Sequence, residues 1–260
     1  MIGLDFGLGA IEAEFWRWIF VMTRIGAALL AAPLFGGAMI PAQVRVIATG
    51  ALALFVCAWT PVVAPAQILS LPGIVALAGE ALIGVALGFV LQMAFAAPVI
   101  GAEMIGAGMG MAIAASVDPV GGAHAPIFGQ FFIVLLTVLF LGTGAHLDWI
   151  SLVIESYRVF PPGSAWLTPG RMQLIGGFGG QMVVAGFAMA LPVVVLLLVV
   201  QILAGLISRS APALNLFALA LPAGVLAGLA AMTVATGLIA ERMTDLTHSA
   251  LADAAALMIP

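Results

Sequence analysis

Long apolar runs broken by single charges and by proline and glycine make up most of this chain. Asp, Glu and Arg are absent from residues 46–79, 81–102, 119–147, 172–208 and 210–240. A helix that crosses a bilayer needs about 20 apolar residues, so each run holds at least one candidate. Proline and glycine subdivide them. The first predicted helix covers 11–32 and stops before Pro33. A turn over Phe35-Gly-Gly-Ala-Met-Ile-Pro41 leads to a second helix over 42–60. A third is predicted over 73–97, ending at Pro98. The fourth covers 126–147, with Pro126 suited to a first turn. Residues 148–172 are the most polar segment, with Glu155, Arg158 and the Phe160-Pro-Pro-Gly163 turn. The fifth helix covers 180–207 with a kink at Pro192, and the sixth starts near Asn215 or Pro222 and runs past Ala240. In the last twenty residues Met243, Leu246, Ala250 and Leu257 share one helical stripe while Glu241, Arg242, Asp245, His248 and Asp253 lie elsewhere, which predicts an amphipathic helix on a membrane or a partner.

Composition turns these runs into a class. Of 260 residues, 64% are hydrophobic and 7% charged; a soluble domain carries about 25% charge. The expectation is an all-α integral membrane protein with about six apolar helices. Disorder is excluded, since it needs low hydrophobicity and high charge. All seven basic residues are arginine. Without lysine there is neither a P-loop nor a pyridoxal phosphate Schiff base. The net charge of −4 offers no basic patch to nucleic acid. The lone Cys57 excludes an intrachain disulfide and a cysteine-cluster metal site. Asp5, Glu12 and Glu14 precede the first apolar run where a secretory signal would be basic, so the first helix is expected to be retained. His124, His146 and His248 lack the HExxH spacing, and there is no GxSxG elbow. No cofactor and no enzymatic activity are expected.

The out-of-place charges come next, because each one at the bilayer centre costs about 2.5–3.5 kcal/mol on insertion scales. Arg17 and Arg24 share a face of the first helix, with Glu14 one turn before Arg17. Arg17 is placed to snorkel, whereas Arg24 lies deeper and calls for a partner. Glu80 lies within the third helix and Glu103 just beyond its expected end. Glu80 pairs with an arginine such as Arg24 or faces an aqueous path. The second option, with Glu103, would make a small-solute transporter.

Residues 101–122 are the least regular. Glycine recurs at 106, 108 and 110 and methionine at 104, 109 and 111. Glycine weakens a helix by about 1 kcal/mol relative to alanine, and irregular backbone at membrane depth survives only against protein or a cavity. Flexible methionines fill uneven gaps. Two readings stand side by side: a pore plug hinged by Gly106, Gly108 and Gly110 and lined by Met109 and Met111, or close helix packing through small residues. Methionine at position 111 excludes a dinucleotide fingerprint.

The order of short motifs along residues 10–250 is specific where each piece alone is weak. They run Arg24-Ile-Gly-Ala-Ala28, Ala32-Pro-Leu-Phe-Gly36, Ile40-Pro41-Ala-Gln-Val-Arg45, and Gly79-Glu-Ala-Leu-Ile-Gly84 with Gly88. Then come the 106–110 glycines leading to Val117-Asp118-Pro119, Gly144-Ala-His146, Glu155-Ser-Tyr-Arg158 and Phe160-Pro-Pro-Gly163. The last are Ala190-Leu-Pro192, Gly205-Leu-Ile-Ser-Arg209, Ala211-Pro212, Asn215-Leu-Phe217 and Leu221-Pro222. In this series the chain resembles the FliR family of flagellar export-gate proteins and its counterparts in injectisome type III secretion. The resemblance implies a core subunit that joins FliP-type and FliQ-type subunits around a channel for unfolded export substrates, with an FlhB-type partner at the cytoplasmic mouth. It implies a multi-pass location in the bacterial inner membrane, in contact with lipid, within the flagellar basal body. It implies a FliP-like part over 1–175 and a FliQ-like helical hairpin with the amphipathic tail over 176–260. In the family the loop matching 106–117 reaches into the pore, which assigns the plug to Gly106, Gly108, Met109, Gly110, Met111, Asp118 and Pro119. Many family helices are kinked, tilted hairpins packed on partners, so six apolar segments need not be six spans. The chain departs from the family at Ala107 and at 109–111, where a more polar residue is expected among the glycines.

Overall fold

The computed structural model describes residues 10–37, 40–62, 70–111, 127–163, 166–210 and 216–259. Among the described residues every regular element is a helix: α1 (Ala10–Ala31), α2 (Pro33–Gly36), α3 (Ala42–Trp59), α4 (Leu71–Gly108), α5 (Ile127–Gly142), α6 (Ala145–Val159), α7 (Pro169–Ser210) and α8 (Leu216–Ala256). The all-α class follows from the lack of any period-two run, combined with apolar stretches too long for strands.

Helix starts and stops obey local chemistry in places and override it in others. Pro33 ends α1 and occupies the first turn of α2, where its missing N–H has no intrahelical use. The expected stop at Pro98 is not observed, because α4 continues to Gly108 with Pro98 inside it. A proline removes one hydrogen bond and kinks a helix. Where the ring is buried among neighbours, as at Pro98, packing holds the helix together across the break. Pro192 and Pro222 are likewise internal to α7 and α8. The expected single helix over 126–147 is divided instead, since Gly144 has φ +79° as the N-cap of α6. That left-handed conformation disfavours any residue with a Cβ.

Among the described residues four stretches are long and apolar enough to cross a membrane: Ala42–Trp59, Leu71–Gly108, Pro169–Ile207 and Pro222–Ala256. The broken pair α5–α6 makes a fifth if it is counted as one span. This agrees with an all-α membrane protein in which six apolar segments are not six spans. Helix α1 is absent from the set, as it carries Glu12, Glu14, Arg17 and Arg24. With 38 and 42 residues, α4 and α7 extend about 57 and about 63 Å at about 1.5 Å per residue. Both exceed a hydrocarbon core of about 30 Å.

The chain forms two compact units. The first comprises Met1–Met93, Gly144–Phe178 and His248–Pro260. Its core is built from Phe20, Val21, Ile25, Leu29, Val56, Leu87, Trp149 and Val153. Helices α1 and α3 are neighbours, pinned where Trp18 Nε1 donates to Gly50 O at 3.0 Å. Arg17 joins them again, pairing with Glu14 at 3.1 Å and donating to Cys57 O. Trp149 stacks on Phe35 at 6.0 Å between centroids and donates to Leu87 O at 3.1 Å. The second unit comprises Ala94–Thr143 and Gly179–Thr247. There α4 and α7 approach closely: a Cβ on Gly186 would fall 2.7 Å from Ala97 O, and one on Gly101 would fall 3.0 Å from Gly186 O. Phe95 meets Phe140 edge-on at 5.6 Å. These units group residues by proximity. The expected division into 1–175 and 176–260 comes from the family resemblance and is a different division from this one by proximity.

Candidate functional site

Two clusters concentrate polar or irregular features, one in each unit. The first is built on Arg24 of α1. Its guanidinium is wholly buried, and Glu80 of α4 is 2% exposed. Arg24 Nε donates to Glu80 Oε2 at 2.8 Å and Nη2 to Oε1 at 3.0 Å, a two-pronged pair that fixes both planes. Nη1 donates to Ser156 Oγ at 3.1 Å and Nη2 to Phe160 O at 2.9 Å. The Tyr157 ring lies 4.2 Å from the guanidinium carbon, and its hydroxyl donates to Val21 O at 2.6 Å. Desolvated charge is stable only when it is so fully partnered.

Glycine makes the pair reachable. A Cβ on Gly84 would collide with Arg24 O and lie 2.9 Å from Ala27 Cβ and Ala28 N. One on Gly88 would fall 2.6 Å from Ala28 O and from Ala31 Cβ. The bare backbone of α4 therefore rests directly on α1 one turn beyond Glu80, bringing the carboxylate within reach of Arg24.

The structure places Arg24 and Glu80 together and Glu103 elsewhere. Glu103 lies within α4, in the second unit, and is exposed. Among the described residues it has no ion-pair partner. Glu103, an out-of-place charge in the sequence, faces outward because α4 runs past Pro98. Ser156, Tyr157 and Phe160, which in the sequence are only parts of short motifs, complete the site. A backbone carbonyl acceptor such as that of Phe160 leaves no mark in a sequence.

The second cluster surrounds the glycine–methionine segment. Residues 101–108 are helical, so the irregular stretch begins later than expected, at the turn over Met109 and Gly110. Gly110 has φ +85°, which requires glycine. Met109 is 1% exposed and lies against Gly224 and Gly228 of α8. Gly106 and Gly108 are in the last turn of α4, and Met111 is half-buried. Asp118, Pro119, Pro212 and Asn215 lie outside the described residues.

The remaining motif residues have local roles. Pro41 is the N-cap of α3. Arg45 donates to Ile40 O at 2.8 Å and to Gly37 O at 3.4 Å, tying the preceding turn to that helix. Arg209 is exposed in the last turn of α7, where a cation complements the helix dipole. Pro222 is exposed within α8. Among the described residues no group of three or more His, Cys, Asp or Glu is placed to hold a metal.

In the sequence Arg171 carries no signal beyond its place in the polar segment 148–172. It is 8% exposed, donates to Trp166 O at 2.8 Å and to Ile259 O at 2.9 Å, and lies 4.6 Å over the Phe160 ring. It ties the α6–α7 turn to the end of the chain. The stripe Met243, Thr247, Ala250, Ala254 and Leu257 is buried, so the amphipathic tail continues α8 with its apolar side packed on protein. We expect Arg171→Met to keep the stem packing but release Trp166 O and Ile259 O, lowering stability by about 3 kcal/mol. Carboxypeptidase digestion and thermal melting would check this; a C-terminus as resistant as wild type would refute the tie.

A chain made of helices, with apolar spans and its deepest charge paired internally, defines a helical integral membrane protein. The chain belongs to the bacterial export proteins, family 1, whose profile matches residues 15–250. It is 32% identical over 246 residues to the flagellar biosynthetic protein FliR of Pectobacterium carotovorum subsp. carotovorum, covering 94% of this chain and 92% of that protein. To FliR of Escherichia coli (strain K12) it is 34% identical over 161 residues, 62% of each chain. To FliR of Bacillus subtilis (strain 168) it is 29% identical over 219 residues, 83% of this chain and 84% of that one.

Proposed function

We propose that this protein is a core subunit of a flagellar type III export gate, assembling with FliP- and FliQ-type subunits into the channel for unfolded export substrates. The observation that carries the reading is the family match from residue 15 to residue 250, supported by FliR relatives aligned over most of their length. In this reading residues 1–175 are the FliP-like part and 176–260 the FliQ-like hairpin. An FlhB-type subunit meets the gate at its cytoplasmic mouth, and the assembly sits in the inner membrane within the flagellar basal body. Exposed Val184, Phe187, Leu191, Val195, Leu198 and Ile202 on α7 supply apolar surface for such partners and for lipid. The subunit is a non-enzymatic channel component without cofactor.

The plug consists of Gly106, Gly108, Met109, Gly110 and Met111, with Asp118 and Pro119. Glycines let the segment yield and methionines seal around a moving chain. The solute-transporter alternative loses support from Glu80, because both its oxygens are held by Arg24.

Two measurements test this. Co-expressed with FliP- and FliQ-type subunits of the same bacterium, the tagged chain is expected to purify as one complex, and to aggregate without them. A monodisperse, stable monomer would count against the assembly. Deleting residues 106–116, or Gly110→Leu, is expected to leak ions or alter export while assembly survives. The leucine is forced into a left-handed conformation that costs about 1–2 kcal/mol. Unchanged leak and unchanged export would remove the plug role.

A further inference from the structure

Gly224 and Gly228 stand four residues apart and therefore on one face of α8. In membrane proteins this spacing ordinarily lets two helix backbones approach. Here it receives a side chain. A Cβ on Gly228 would fall 2.6 Å from Met109 Cγ and 2.9 Å from Sδ, and one on Gly224 would fall 3.0 Å from Met109 O. The two glycines thus form a cradle filled by the whole of Met109, consistent with its burial. On another side α7 holds the preceding residue. Gln201 Nε2 donates to Gly108 O at 2.6 Å, and Leu197 Cδ1 lies 3.1 Å from where a Cβ on Gly108 would stand. Gly110 follows at once with its left-handed backbone. The point where the chain leaves α4 is therefore gripped by α7 and α8 together, within one compact unit.

We infer that Gly224, Gly228 and Gln201 are positioning residues that hold the 109–111 segment closed, with Met109 as a latch seated in the α8 cradle. An unbranched thioether suits this role. It fills an uneven hollow and leaves it by bond rotations alone, so a modest shift of α8 against the end of α4 releases the segment. Both glycines are required at the seat: a Cβ at 228 would occupy the space of the thioether, and one at 224 would press on backbone. The inference rests on the plug reading of residues 106–111.

The test uses the assembled complex with Cys57→Ser, which removes the chain's own cysteine. Cysteines are placed by Met109→Cys and Gly228→Cys. With 2.6 Å from the Gly228 Cβ position to Met109 Cγ and a carbon–carbon bond of about 1.5 Å, the two Cβ atoms lie no more than about 4.1 Å apart, under the upper limit of about 4.5 Å for a disulfide. Oxidation is expected to form the intrachain bond in the resting gate and to reduce export about tenfold, with recovery on reduction. In a separate variant, Gly228→Ala adds a methyl whose three nearest neighbours are all side-chain atoms of the flexible Met109. Because alanine is the better helix former, assembly is expected to persist while ion leak rises several-fold. Failure of the bond to form on oxidation overturns the cradle, whatever Gly228→Ala does. A bond that forms without changing export or leak, in a gate that leaks once 106–116 is deleted, overturns the latch and keeps the plug. If that deletion changes nothing either, the plug reading fails and the latch falls with it.

Discussion

Glu80→Ala is expected to destabilise the first compact unit by about 3–5 kcal/mol, the range for stripping one partner from a buried ion pair. Folded domains are stable by only about 5–15 kcal/mol, so most of the subunit should be degraded before assembly. After the substitution the Arg24 guanidinium keeps Ser156 Oγ, Phe160 O and the Tyr157 ring but loses both carboxylate oxygens. Arg24→Ala should be as severe, since it strands the Glu80 carboxylate. Arg24→Lys should recover only part of the loss, because an ammonium lacks the planar fork that spans two oxygens. The paired apolar change Arg24→Met with Glu80→Leu should be milder than either alanine variant, as it leaves no buried charge unmatched. Exchanging the two charges should rescue partially: the pair is restored, but a carboxylate then faces the Phe160 carbonyl. Membrane levels by immunoblot and melting of the purified complex would check the series. Wild-type melting of Glu80→Ala, or no rescue at all by the exchange, would show that this pair does not hold α1, α4 and α6 together.

Gly88→Val should be nearly as damaging, while a nearby change in the same helix should do the opposite. At Gly88 even a methyl would fall 2.6 Å from Ala28 O and 3.0 Å from Ala31 C. Backbone atoms cannot swing aside, so α1 and α4 must separate, stretching the Arg24–Glu80 pair as they do. Overpacking of this kind costs about 1–3 kcal/mol, occasionally more, and the added strain on the pair places valine at the top of that range. Gly84→Ala should also destabilise, since its methyl meets Arg24 O and Ala28 N. At Gly79 nothing lies within 4 Å of the Cβ position, so Gly79→Ala should be neutral or stabilise by up to about 1 kcal/mol through helix propensity. Opposite signs for Gly79 and Gly88 in thermal melting are the result expected; equal effects would mean that close approach is not what these glycines provide.

Helix bodies were legible because their signals are local. The expected 11–32 segment differs from α1 by one residue at each end, and the expected 42–60 segment differs from α3 by one residue at its C-terminal end. The α4 boundary was not, since Pro98 reads as a stop when only its neighbours in sequence are considered. The break at Gly144 was also hidden. The chain has 31 glycines, and nothing local separates the one with φ +79° from those that lie inside helices. Glu103 illustrates a similar limit: its charge stands out in the sequence, yet which way it faces depends on where α4 ends.

Composition and periodicity by themselves determined that this is a helical membrane chain, where most of its helices lie, and that a charge as deep as Arg24 needs a partner. Those conclusions follow from hydration and backbone hydrogen bonding, which act on each segment separately. Tertiary structure alone decided that the partner is Glu80, 56 residues away, and that Ser156, the Phe160 carbonyl and Arg171 complete the polar interior. It alone turned Gly224 and Gly228 from a helix-packing motif into a seat for Met109. These are matters of which distant surfaces meet at the range of a hydrogen bond or a van der Waals contact, and they are set by packing many residues at once.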